Sequence, residues 1–229
     1  MVVFIFIAFI VLSITIDALV RYGRSRRSKA PVFSSLVKNA FNEASVAAPK
    51  GLFYNKTHTW AFMEKSGRVK MGIDDFLMHI TGPLTRVIMK KAGEQIRKGE
   101  PALTIIQKGK QLVINAPVSG TVKLQNTKLL DDIALLNNSP VQEGWIYEIE
   151  PLQWEKESQF LIMADKYKEW LKNEFSRLRD FLAYNRQTSN AEFVPVMLQD
   201  GGELQDELLS DFGPEVWEEF QIKFINSSK

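Results

Sequence analysis

Few side chains in this sequence are equipped for chemistry, and their spacing narrows the choice further. There is no cysteine, which removes thiolate nucleophiles, disulfides and thiolate metal sites and fits a domain on the reducing side of a membrane. His58 and His79 are the only imidazoles, too few for a multi-histidine metal site. The acidic pairs Asp74-Asp75 and Asp131-Asp132 are adjacent in sequence. Adjacent side chains diverge on a strand or help to form a turn, so neither pair reads as an acid and base facing one substrate. Glycine-rich phosphate loops, metal-ligand spacings and nucleophile elbows are absent. What remains is a pair of amines, Lys108 and Lys110, flanking Gly109 in Ile105-Ile106-Gln107-Lys108-Gly109-Lys110-Gln111-Leu112-Val113-Ile114. The chemistry of such amines is acylation.

The elements that must position these amines are short strands. Between Leu52 and Ile149 apolar residues come in brief β-branched or aromatic runs separated by Gly, Pro and Asn, the pattern of an all-β domain. Val87-Ile88-Met89, Ala102–Ile106, Leu112–Ile114 and Trp145–Ile149 are the clearest strands. Lys108-Gly109 then falls on the two central positions of a hairpin turn, with glycine supplying a positive φ. Asp74–Ile80 reads as a helical turn capped by Asp74. His58 and Trp60 lie on a strand, where such rings are more often packed than catalytic. From Asp165 to Tyr184, Tyr167, Trp170, Leu171, Phe175, Leu178, Phe181 and Leu182 recur at three- and four-residue steps, predicting an amphipathic helix.

The two ends differ from this middle and from each other. Residues 2–20 form an apolar run interrupted by one charge, Asp17, and a helix of about 20 such residues spans a hydrocarbon core. Five of the nine residues from Arg21 to Lys29 are basic: Arg21, Arg24, Arg26, Arg27 and Lys29. This cluster directly after the span predicts an N-terminus outside and the rest in the cytoplasm, and it offers contacts to anionic lipid. From Tyr184 onward nine acidic residues face three basic ones. In this acidic tail Asp211-Phe212-Gly213-Pro214-Glu215 reads as a helix start. Val216, Trp217, Phe220 and Phe224 would follow as one apolar stripe. Trp217, Phe220 and Phe224 are thus candidate anchors for docking a partner, with packing on the chain's own domain as the alternative.

Five stretches, in this order and spacing, resemble the H protein of the glycine cleavage system: Tyr54-Asn55-Lys56-Thr57-His58-Thr59-Trp60, Val69-Lys70-Met71-Gly72-Ile73-Asp74-Asp75-Phe76, Gly93 with Gly99-Glu100, Ala116-Pro117-Val118-Ser119-Gly120-Thr121-Val122, and Asn138-Ser139-Pro140-Val141-Gln142-Glu143-Gly144-Trp145. The resemblance implies a lipoyl-type barrel-sandwich hybrid, mainly β with flanking helices, closed by a C-terminal helix. It also implies a hairpin-tip lysine that receives lipoate and carries an aminomethyl group and electrons between separate enzymes. The resemblance places that lysine on Gly109, which has no amine, and the acidic residue before it on Ile106. Residues 51–151 hold 13 basic and 10 acidic side chains, whereas the family is typically acidic.

The expected organisation is a transmembrane helix over 1–21, a basic linker over 22–50, the H-protein-like domain over 51–184 and the acidic tail over 185–229. The expected function is a non-enzymatic scaffold or accessory subunit of a complex at the inner (cytoplasmic) membrane. Its partners are the membrane and other protein subunits, with neither nucleic acid nor metal. No cofactor is expected; the alternative is a lipoyl carrier modified at Lys108 or Lys110. A membrane transport adaptor is a second alternative, disfavoured because its hairpin would carry inserted helices.

Overall fold

The computed structural model describes residues 40–188 and 204–226. The strands are β1 (Ala40–Phe41), β2 (Phe53–Asn55), β3 (Thr59–Met63), β4 (Val69–Ile73), β5 (Arg86–Met89), β6 (Gln95–Ile96), β7 (Pro101–Gln107), β8 (Lys110–Asn115), β9 (Gly120–Gln125), β10 (Tyr147–Pro151), β11 (Ile162–Met163) and β12 (Leu204–Gln205). One sheet runs in the order β11-β2-β3-β4-β10-β9-β6, a second in the order β5-β7-β8, and β1 pairs with β12. Every pairing is antiparallel. Inward residues of both larger sheets, among them Met71, Ile73, Ile105, Leu112, Ile114, Val122 and Ile149, share one core. The fold is mainly β with flanking helices, as the sequence predicts.

Two of the sequence motifs meet a third at Trp60. Its ring lies across Gly72, its cross-strand partner, where an added Cβ would sit 2.6 Å from the indole. The indole N–H donates to the Pro140 carbonyl at 3.2 Å. Only a residue without a side chain leaves room there, so Trp60, Gly72 and Pro140 act as one packing unit rather than as three signals.

Helix α1 (Asp75–Thr81) starts where the sequence predicts, with the Asp74 carboxylate accepting from the Leu77 N–H at 2.9 Å. Short turns α2 (Lys128–Asp131), α3 (Leu135–Asn138) and α4 (Trp154–Glu157) follow, and then the long helix α5 (Ala164–Thr188). The predicted face of α5 is the buried one: Tyr167, Leu171, Phe175, Leu178, Phe181 and Leu182 all lie in the core. Glu174 sits on that same face, fully buried.

The tail departs from the expectation. Leu204 and Gln205 pair with β1, a 3-10 turn covers Leu208–Asp211, and α6 (Pro214–Phe220) begins with Pro214 after Gly213 and runs into a π-helical turn over Gln221–Ile225. Trp217, Phe220 and Phe224, read as partner-docking anchors, are buried against the chain's own domain. The correction has a simple cause. The exposed edge and tip of the β7–β8 hairpin, together with Phe181 of α5, offer an apolar and polar seat within reach of the tail; Phe181 packs edge-on against both Phe220 and Phe224. The described tail residues and the β domain belong to one compact unit. Phe41 and Val46, within the stretch read as linker, are also core residues.

The apolar run 2–20 and the basic residues Arg21, Arg24, Arg26, Arg27 and Lys29 lie outside the described residues. Among the described residues no helix is long and apolar enough to cross a membrane.

Candidate functional site: the hairpin tip and its cover

Strands β7 and β8 pair out to Gln107 and Lys110, so Lys108 and Gly109 alone form the turn. Both have positive φ, 48° and 85°, the conformation of a type I′ turn, whose twist matches that of the strands it joins. A Cβ added at Gly109 would meet nothing within 4 Å. Glycine is favoured there by its backbone, and crowding plays no part. The tip is braced from beneath. Buried Gln107 donates its side-chain amide to the Thr81 carbonyl at 2.6 Å, and the Lys108 N–H donates to the Thr85 hydroxyl at 3.3 Å.

The two tip lysines have different fates. Lys108 is exposed. Lys110 is partly covered by the tail, and its ammonium donates to the carbonyls of Leu209 (3.4 Å), Ser210 (2.7 Å) and Phe212 (3.0 Å). The same ammonium lies 5.1 Å from the centre of the Trp217 ring, within range of a cation–π attraction. Burial, reinforced by the neighbouring Lys108 charge, lowers the Lys110 pKa below the usual lysine value, and Asp211 partly opposes this. Further along the hairpin the Gln221 side-chain amide accepts from the Val113 N–H at 2.7 Å and donates to the Val113 carbonyl at 2.9 Å. A single side chain thereby imitates a neighbouring strand and satisfies part of the β8 edge. A cleft of about 530 Å³ remains between hairpin and tail, lined in part by Gly109, Lys110, Val113, Trp217 and Gln221.

A second polar cluster lies under α5. His58 adopts φ 61° at the end of the Asn55–His58 turn. Its Nδ1 lies 3.0 Å from an Asp74 oxygen that also accepts the Tyr167 hydroxyl at 2.6 Å, and its Nε2 lies 3.5 Å from Glu174. Glu174 is joined to Arg177 at 2.6 Å, and Arg177 donates on to the Lys223 carbonyl of the tail at 2.7 Å. Burial disfavours charge on His58, but Asp74 and then Glu174 outweigh it and the pKa rises to about 9. Burial raises the Tyr167 phenol further still, so it serves as a neutral donor. With His58, Asp74 and Glu174 all sealed from solvent, this cluster fastens a helix and offers no surface to a substrate. The sequence reading of His58 and Trp60 as packed rings holds, but only Trp60 lies on a strand; His58 sits in the turn before β3. Tyr167 and Glu174 escaped it, because a carboxylate on an apolar helix face gives no signal until its buried partner is known.

Comparison with known proteins bears on residues 52–174, which match the family model described as glycine cleavage H-protein. The chain belongs to the glycine cleavage H-protein family. It is 34% identical over 124 residues to a probable glycine cleavage system H protein of Pyrococcus abyssi, covering 54% of this chain and 92% of that one. The corresponding protein of Thermococcus kodakarensis is 35% identical with the same coverage. The H protein of Oceanobacillus iheyensis is 30% identical over 128 residues, 56% of this chain and 100% of the other. Among solved structures, the H protein of Mycobacterium marinum covers 54% of this chain and 98% of its own at 24% identity and a TM-score of 0.48. The family match ends at Glu174. The tail that covers the hairpin lies wholly beyond it.

Proposed function

We propose that this chain is a membrane-anchored member of the H-protein family that carries no lipoyl arm and acts as a scaffold or accessory subunit of a membrane-associated assembly. The observation that carries this reading is the hairpin tip: Gly109 stands where the resemblance places the acceptor lysine, and the adjacent Lys110 amine is engaged by the chain's own tail. The apolar run 2–20 and the cluster Arg21, Arg24, Arg26, Arg27 and Lys29 support anchoring in the inner membrane with the folded unit on the cytoplasmic side. Partner subunits would then meet a locally fixed, non-enzymatic surface. Intact-mass measurement on protein isolated from native membranes tests this. The expected mass is that of the unmodified chain, and crosslinking in the same membranes is expected to recover a defined partner; a lipoyl adduct overturns the reading.

One observation favours a second reading. Lys108 is exposed at the tip of the turn, so a lipoyl carrier modified there, rather than at Lys110, is the alternative. Fragmentation of the hairpin peptide decides between them by locating any adduct.

A further inference from the structure

The contact between tail and hairpin is selective for one chemical form of Lys110. An ammonium has three N–H donors and no acceptor. The tail presents it with three main-chain carbonyls, those of Leu209, Ser210 and Phe212, and the ring of Trp217. Leu209 has two further donors, the Trp217 indole N–H at 2.7 Å and the Phe212 N–H at 3.2 Å; no further donor to the Ser210 and Phe212 carbonyls is seen among the described residues. We propose that the tail reads the chemical state of Lys110: it stays seated on the hairpin while Nζ is a free ammonium and loosens over Leu208–Phe220 when Nζ becomes a neutral amide. Lys110 is then a modification site whose acylation and tail docking exclude one another.

The modification is acyl transfer from an activated carboxyl group such as a thioester. A bond forms between Nζ and the acyl carbon, and the carbon–sulfur bond breaks. Of the three ammonium protons one stays on the amide, one goes to the leaving thiol and one to water. The resulting single N–H faces three carbonyls, so two lose their bond to Lys110, of which only Leu209 has other donors to fall back on, and the attraction between cation and indole disappears. Linkage makes the effect reciprocal: whatever factor docking takes from the acylation equilibrium, acylation takes from docking. Buried Phe224 and Ile225, beyond that segment, continue to hold the rest of the tail, so the response is local loosening rather than release. None of this depends on whether Lys108 carries lipoate.

The test uses the full chain in nanodiscs and limiting acetyl N-hydroxysuccinimide, with the acetylated lysines quantified by peptide mass spectrometry. Lys110 is expected to react about tenfold or more slowly than Lys108, as for a group reached only through local opening. Gln221→Ala is expected to speed Lys110 severalfold and leave Lys108 unchanged. In the reverse direction, Lys110→Gln presents a neutral amide and Lys110→Arg keeps the charge. Hydrogen exchange across Leu208–Phe220 should rise about tenfold in Lys110→Gln and distinctly less in Lys110→Arg, with β3 and β4 unaffected. Equal labelling of the two lysines in the unaltered chain, or equal exchange in the two variants, overturns the proposal.

Discussion

Two polar junctions hold helical segments onto the β domain, and they are built from opposite materials. Under α5, His58 stands between Asp74 and Glu174 with all three sealed from solvent, so the junction consists of formal charges of both signs. Under the tail, Lys110 and Gln221 meet main-chain carbonyls and an amide, so one charge faces neutral dipoles at the edge of solvent. A buried ion cluster is costly to leave half made and therefore specifies a single seating of its helix. A contact between an ammonium and carbonyls at the rim can be remade with water at far smaller cost. The first junction lies within the span matched to the H-protein family, and the tail that completes the second lies outside it. The family region is thus locked to its C-terminal helix, while at the hairpin the added segment is fastened by contacts that respond to one side chain.

The sharpest way to break this contrast is to remove the histidine. His58→Ala leaves Asp74 and Glu174 as buried carboxylates without their shared cation, and the expected loss is about 3–5 kcal/mol in denaturant unfolding. A loss below about 1 kcal/mol would mean that the cluster is not charged and that the two junctions are alike. Trp217→Ala is the counterpart in the tail. It deletes a fully buried ring and the indole bond to Leu209, with an expected cost of about 3 kcal/mol. Its signature should differ: hydrogen exchange rises in Leu208–Ile225 first, whereas His58→Ala raises it in α5.

The same contrast explains what the sequence could show. Periodicity located the hairpin, α1 and the buried face of α5 because each buries one side of a regular element, and the Lys108-Gly109 turn was legible because a type I′ turn needs positive φ at both positions. Tail residues Val216, Trp217, Phe220 and Phe224 were legible as a stripe, but a stripe does not state its partner, and an acidic stretch beyond the recognised domain reads equally as a docking peptide. Leu204 lies in β12, a placement no local pattern announces, because Ala40 and Phe41 offer it a strand. The engagement of Lys110 was invisible. Main-chain carbonyls carry no sequence signature, and neither does Gln221 standing in for a strand.

Acidity probes the junction under α5 together with a separate ion pair that ties the tail to α1. His79 lies 3.4 Å from Asp75 and 2.6 Å from Asp206 of the tail, with Phe41 stacked on its ring. The bond to Asp75, then its charge, and the contributions of Asp206 outweigh burial and raise its pKa to about 9. Because the folded value exceeds the unfolded one of about 6.5, the stabilisation is complete below pH 6.5 and is lost as pH rises through 9. His58 acts in the same direction. Stability measured from pH 6 to 10 should therefore decline across that window, with about 1–3 kcal/mol attributable to His79. His79→Gln should remove its share and leave the share of His58. A profile unchanged by His79→Gln would place the whole dependence under α5.

The smallest expected effect addresses the tip itself. At Gly109 the backbone has φ 85° and an added Cβ meets no neighbour, so Gly109→Lys costs only the left-handed conformation of an L residue, about 1 kcal/mol. Lys108 beside it already bears that conformation at φ 48°. The variant should fold with the tail still seated on Lys110 and should present a new amine that an acylating reagent labels as fast as Lys108. With that result, the fold itself does not demand a tip without an amine at position 109, and the difference from a lipoyl carrier is reduced to one side chain and the tail beside it. A loss above about 3 kcal/mol would show instead that the turn rejects a side chain, and Gly109 would then be a requirement of the hairpin with no bearing on acylation.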